Sequence, residues 1–146
     1  MQIRLVTIDD YDALVSLWLE CRGVGLSDVD DSREGIARLL ERNPATCLAA
    51  VDENDQLIGS ILAASDGRHG FVYHMAVAPQ HRGQGVGEQL VRSAMAAMQE
   101  LGVSKVGLLS FTDNEAASAF WDRMGFTVRD DLTYRNRALI RLVPEG

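Results

Sequence analysis

Three glycines alternate with other residues in Arg82-Gly83-Gln84-Gly85-Val86-Gly87. Glycine bends where a Cβ would obstruct and lets a ligand approach the main chain. Leu90, Val91, Ala94, Met95 and Met98 follow at helical spacing, so the loop opens a helix. The first N–H groups of a helix lack internal partners, and its dipole is positive there, which suits phosphate. Two other phosphate loops do not match. No Gly-Lys pair follows, as a P-loop requires. The spacing is G-x-G-x-G rather than G-x-G-x-x-G, with no acid about twenty residues on.

His74 lies in Phe71-Val72-Tyr73-His74-Met75, an apolar run with no acid. An imidazole suits general-base work near neutrality, and it also serves as a hydrogen-bonded core group. Asp28, Asp30 and Asp31 form an acidic stretch between two helical patterns. They read either as solvated residues and helix caps or as an attraction for a cationic amine. Trp18 reads as core or as a pocket wall. His74 and His81 have no acid or cysteine at metal-ligand spacing, and no metal is expected. Cys21 and Cys47 form no C-x-x-C pair and read as reduced, buried thiols of a cytoplasmic protein.

The elements that must position these groups follow from periodicity. Gln2 to Val6 alternates as a strand. Thr7 to Asp10 resembles a capping box, and Tyr11, Leu14, Val15 and Trp18 continue as a helix to about Cys21, broken by Gly23 and Gly25. A second helix carries Ile36, Leu39 and Leu40 and stops before Pro44. Strands are predicted over Thr46 to Val51, Leu57 to Ala64 and Phe71 to Val77, the last central because it is apolar on both faces. After the glycine-loop helix and Gly102 come a strand from Val103 to Leu109 and a helix from Asn114 to Met124, closed by Gly125. Phe126 to Val128 and Tyr134 to Leu142 are the last predicted strands. The order β-α-α-β-β-β-α-β-α-β-β is a mixed α/β (α+β) fold in one domain, 1–146, with one parallel crossover in its back half.

The chain has 146 residues, enough to bury roughly 70% of its unfolded surface. Apolar residues make up 47% and charged residues 24%, a globular balance. The net charge of −7 disfavours nucleic acid and anionic membranes as partners and favours a cationic substrate. No apolar run approaches the ~20 residues of a membrane span, and the N-terminus does not read as a signal peptide.

Arg82 to Gly87 resembles the Q/R-x-x-G-x-G/A motif of the GNAT superfamily of N-acetyltransferases, notably its small bacterial members. Met75 to Pro79 resembles that family's strand before the loop. Asn114, Ala117 and Phe120 to Phe126 resemble its N-x-x-A-x-x-x-Y-x-x-x-G-F segment. The element order is similar, so the resemblance spans nearly the whole chain. It implies a mostly antiparallel twisted sheet flanked by helices. It also implies acetyl-coenzyme A as co-substrate, with its pyrophosphate on the backbone of Arg82, Gly83, Gln84, Gly85, Val86 and Gly87. Its pantetheine arm is implied along Met75 and Val77, and Asn114 and Phe120 beside it. Phe120 also reads as plain core. The resemblance implies direct attack by a primary amine, of a small molecule or a peptide, and a homodimer.

The sequence departs from the motif at Trp121, which stands where the family has its tyrosine acid, and an indole N–H is not a usable acid. If the leaving thiol resembles that of cysteine, its departure as thiolate at pH 7 costs only about 2 kcal/mol. Tyr134, Tyr73 and water are the alternative proton donors. With the family's glutamate missing from Phe71 to Met75, His74 or a water chain to a carboxylate is the base. Trp121 and that missing acid keep open a non-catalytic acyl-CoA-binding regulatory domain. A nucleotide-binding protein is a third reading.

Overall fold

The computed structural model describes residues 1–21, 24–140 and 144–145. The described elements are β1 (Gln2–Leu5), α1 (Tyr11–Glu20), β2 (Leu26–Ser27), α2 (Arg33–Arg42), β3 (Cys47–Val51), β4 (Leu57–Ser65), β5 (His69–Val77), α3 (Val86–Glu100), β6 (Lys105–Leu108), α4 (Glu115–Arg123) and β7 (Pro144–Glu145). Five strands form one sheet in the order β1-β3-β4-β5-β6. Three neighbouring pairs are antiparallel, and β5–β6 is parallel across the α3 crossover.

The alternation of β3 explains the layering. Leu48 and Ala50 face a core with Val86, Leu90, Val91, Ala94 and Met98 of α3. Cys47 and Ala49 face the other core, with Leu14, Leu17 and Trp18 of α1 and Ile36 of α2. The inner strands β3 and β4 are buried on both faces, so β3 is apolar throughout and β4 is mostly so. Short polar turns close the hairpins. Asp52 Oδ1 accepts from the N–H groups of Asn54 and Gln56, and Asp66 Oδ1 from those of Arg68 and His69.

Helix ends follow the predicted chemistry. Asp10 accepts from the Thr7 N–H and grips Arg4 through two 2.9 Å bonds. Gly125, at φ +87°, ends α4: its N–H reaches the Asp122 carbonyl, and that of Phe126 reaches the Trp121 carbonyl.

The C-terminal segment departs from expectation. Phe126 to Val128 forms no strand, and neither does Tyr134 to Ile140, while Arg141 and Leu142 of the expected strand lie outside the described residues, as does Gly23. Phe126 packs on the core, but Val128, Tyr134, Leu139 and Ile140 are exposed, so neither run has the continuous buried face that supports strand pairing. Between them, Arg129 binds Asp131 through two bonds and turns the chain locally. The observed terminal strand is β7, paired with β2, a two-residue strand too short for periodicity to reveal. No helix among the described residues is long and apolar enough to cross a membrane.

Candidate active site

β5 and β6 pair from His69↔Lys105 to Val72↔Leu108 and then part. β5 continues to Val77, so among the described residues its last five have no strand neighbour on that side. The gap is one end of a cleft of about 1390 Å³. The N–H of Ala78 donates to Ile58 in β4, and Ala76 pairs with Ser60. In an antiparallel ladder peptide directions alternate, so the main-chain groups of Met75 and Val77 face the cleft. The Val77 carbonyl accepts there from Arg82 Nε at 3.3 Å and from Cys21 Sγ at 3.4 Å.

A bulge interrupts β5 at the parting. Ser60 pairs with Ala76 and Leu62 with Tyr73, so one residue of β4, Ile61, opposes two of β5, His74 and Met75. His74 sits at φ +46°, a conformation that costs a non-glycine residue on the order of 1–3 kcal/mol. A buried relay holds it. Trp18 Nε1 donates to Ser60 Oγ at 3.0 Å, and Ser60 Oγ donates to the His74 carbonyl at 2.9 Å. The His74 ring packs on Trp18, with centroids 4.6 Å apart, and its Nε2 meets Asp31 Oδ1 at 2.6 Å.

The glycine loop closes the end of the cleft. Pro79–His81 makes one 3-10 turn, Gly83 and Gly85 adopt φ +76° and +82°, and α3 begins at Val86 with no side-chain cap on Gly85. The first N–H groups of a 15-residue helix thus remain for a ligand. Gly87 lies under Phe120, whose ring would be 3.2 Å from a Cβ there. The Gln84 side chain turns instead to a small recess beside His81, Asp52 and Glu53. Burial pushes the Cys21 thiol up against the pull of Arg82.

The far wall belongs to α4. Asn114, which lines the cleft, caps the helix by accepting from the Ala117 N–H at 3.0 Å. Ala117, Phe120 and Trp121 continue the wall, and Trp121 packs edge-on against Phe120 and Phe126. His74, Met75, Val77, Arg82, Gly83, Gly85, Val86, Gly87, Asn114 and Phe120 all line this one cleft. Tyr134 does not; it is exposed, and Tyr73 lines the cleft near it. Burial raises the Tyr73 phenol above its usual range, with Tyr134 and Asp30 adding to the effect.

Asp28, Asp30 and Asp31 are one acidic stretch in sequence, whereas the fold turns Asp31 inward onto His74. The bulge and the Ser60 relay had a faint signal, a lone serine within the apolar run of β4. Among the described residues no cluster of three His, Cys, Asp or Glu side chains is placed to hold a metal ion.

The sequence and the fold are similar to those of known proteins. An acetyltransferase of Pectobacterium atrosepticum is 28% identical over 95% of this chain and 96% of its own length. The fold is similar to that of an aminoglycoside antibiotic 6′-N-acetyltransferase from Acinetobacter haemolyticus (TM-score 0.75, 21% identity, 96% of this chain and 100% of that one). It is also similar to Naa20 of Chaetomium thermophilum, solved with a bisubstrate analogue (TM-score 0.73, 21% identity, 85% and 70%). The model of the acetyltransferase (GNAT) family matches residues 11–126. The chain belongs to the GNAT family and is an acetyltransferase.

Proposed function

We propose that residues 1–146 form one N-acetyltransferase unit that takes the acetyl group of acetyl-coenzyme A and places it on a primary amine. The observation that carries this is the parting of β5 from β6 directly above an uncapped helix start. An elongated ligand with a phosphate end and an amide-bearing arm fits both halves of that cleft. The N–H groups around Gly83, Gly85 and Val86 would take the pyrophosphate. The Met75 and Val77 main chain would pair with the arm, and the Asn114 amide and the Phe120 face would flank it. Acetyl-coenzyme A supplies the activated thioester acyl group.

A main-chain N–H of the β5 edge would hydrogen-bond the acyl oxygen and favour the charge that develops on it. His74 would take the proton of the acceptor amine, since an aliphatic ammonium with pKa ~10.4 is almost wholly protonated at pH 7. Trp121 offers no acid, and Tyr73 lines the cleft where Tyr134 does not. Tyr73 is therefore the tyrosine better placed to return a proton to the leaving thiolate. A small amine acceptor is in keeping with the aminoglycoside 6′-N-acetyltransferase of similar fold.

Calorimetry with acetyl-coenzyme A, followed by a thiol-release assay over small and peptide amines, tests the reading. Binding with amine-dependent thiol release is expected. Binding without release on any amine would favour a non-catalytic acyl-CoA-binding role, and protection by ATP or NAD instead of coenzyme A would sink the proposal.

A further inference from the structure

Asp31 has a partner for every polar atom it carries. Its N–H donates to the Ser27 carbonyl at 3.0 Å, and its own carbonyl accepts from the Tyr11 hydroxyl at 2.6 Å. Its Oδ2 accepts from the Ser27 N–H at 2.7 Å, and its Oδ1 meets His74 Nε2 at 2.6 Å. The carboxylate is thus anchored before it reaches the ring. Only 11% of its side chain and 15% of that of His74 are exposed.

An ionised carboxylate can only accept, so the ring proton lies on Nε2 and the lone pair of the neutral ring on Nδ1. No described residue hydrogen-bonds Nδ1. Trp18 packs on the ring, and Ser60 holds its backbone, so the orientation is fixed from two further elements.

We infer that Asp31 is a positioning residue for acyl transfer. Resting on the acetyl-transfer reading above, it holds His74 in the Nε2–H form so that Nδ1 accepts the proton of the acceptor ammonium. One N–H bond of the ammonium breaks, and an Nδ1–H bond forms. The electron pair left on the amine nitrogen becomes the nucleophile. The ring becomes an imidazolium beside the Asp31 carboxylate and then passes the proton to solvent. A dyad that merely staples the α1–α2 loop to the sheet would have no preference among acceptors, whereas one that moves a proton matters most for an acceptor that starts protonated.

Asp31→Asn tests this with the fold retained, because the amide oxygen still accepts from Ser27 while its NH2 donates to Nε2 and drives the proton to Nδ1. Imidazole nitrogen NMR should find the Nε2–H form in the wild type and the Nδ1–H form in the variant. Calorimetry should find unchanged acetyl-coenzyme A binding. With ethylamine, a protonated acceptor, kcat/KM should fall on the order of 10²–10⁴-fold. With trifluoroethylamine, neutral at pH 7, it should fall far less. Equal losses on both amines, no loss on ethylamine, or an Nδ1–H ring in the wild type would overturn the inference. So would a wild type that binds acetyl-coenzyme A yet acetylates neither amine. A wild type that does not bind acetyl-coenzyme A would sink the acetyl-transfer reading itself and this inference with it.

Discussion

Ser60→Ala removes one oxygen from the centre of the fold, and the structure sets its cost. Ser60 is fully buried on β4, where its hydroxyl accepts from Trp18 and donates to His74. The Trp18 indole, 1% exposed, would be left with an unpaired N–H, a penalty of about 1–3 kcal/mol. The His74 carbonyl would lose a bond worth about 0.5–1.5 kcal/mol. Together the change should destabilise the protein by roughly 2–4 kcal/mol, or a fall in Tm of roughly 5–15 °C for a chain of this size. Thermal and urea unfolding measure this, the latter with an unchanged m-value. The His74 carbonyl would no longer be held at the bulge. Turnover should therefore drop while acetyl-coenzyme A binding is kept. In a Trp18→Phe background the N–H is already gone, so Ser60→Ala should cost about 1 kcal/mol less there or better. A Tm for Ser60→Ala within a degree of the wild type, or a cost that ignores Trp18→Phe, would refute the relay.

Gly83→Ala and Gly85→Ala place a Cβ in open space but at positive φ, so each should cost about 1–2 kcal/mol of backbone strain. If ligand binding requires that conformation, acetyl-coenzyme A affinity should fall roughly 5- to 30-fold by calorimetry. The Arg4 guanidinium holds the Asp10 carboxyl below the usual carboxylate range, so the ionised form is favoured in the fold. That stability should be complete above about pH 5 and fade as pH falls through the depressed folded value. Arg4→Ala should flatten this acid limb in urea titrations and cost about 1 kcal/mol at pH 7, a modest figure because Arg4 is partly solvated. Burial pushes the Cys47 thiol up to about 11, so a thiol reagent at pH 8 should label Cys47 only after unfolding. Rapid labelling of native protein would contradict that burial.

Local signals served well wherever the chain itself did the work. Helix starts and stops were legible because caps such as Asn114 and terminators such as Gly125 act on their own neighbours. The strands from Cys47 to Val77 were legible because burial on both faces leaves an apolar run bounded by Asp-rich turns. Tyr134 to Ile140 misled, since its residues suit a strand by type but find no buried face to pair on. Gln84 stands inside the glycine motif, yet its side chain leaves the cleft, because each step along a loop turns the next side chain elsewhere.

What the sequence determined by itself was therefore the mixed fold, the glycine loop and the helix behind it, all properties of residues within a turn or two of one another. What only the tertiary structure decided was the site around His74. Asp31 lies 43 residues away, and Trp18 meets Ser60 across 42. The bulge that sets His74 at positive φ exists only through the register of β4 against β5. Such contacts depend on how α1, the loop after it and the sheet pack together, and no local spacing encodes that.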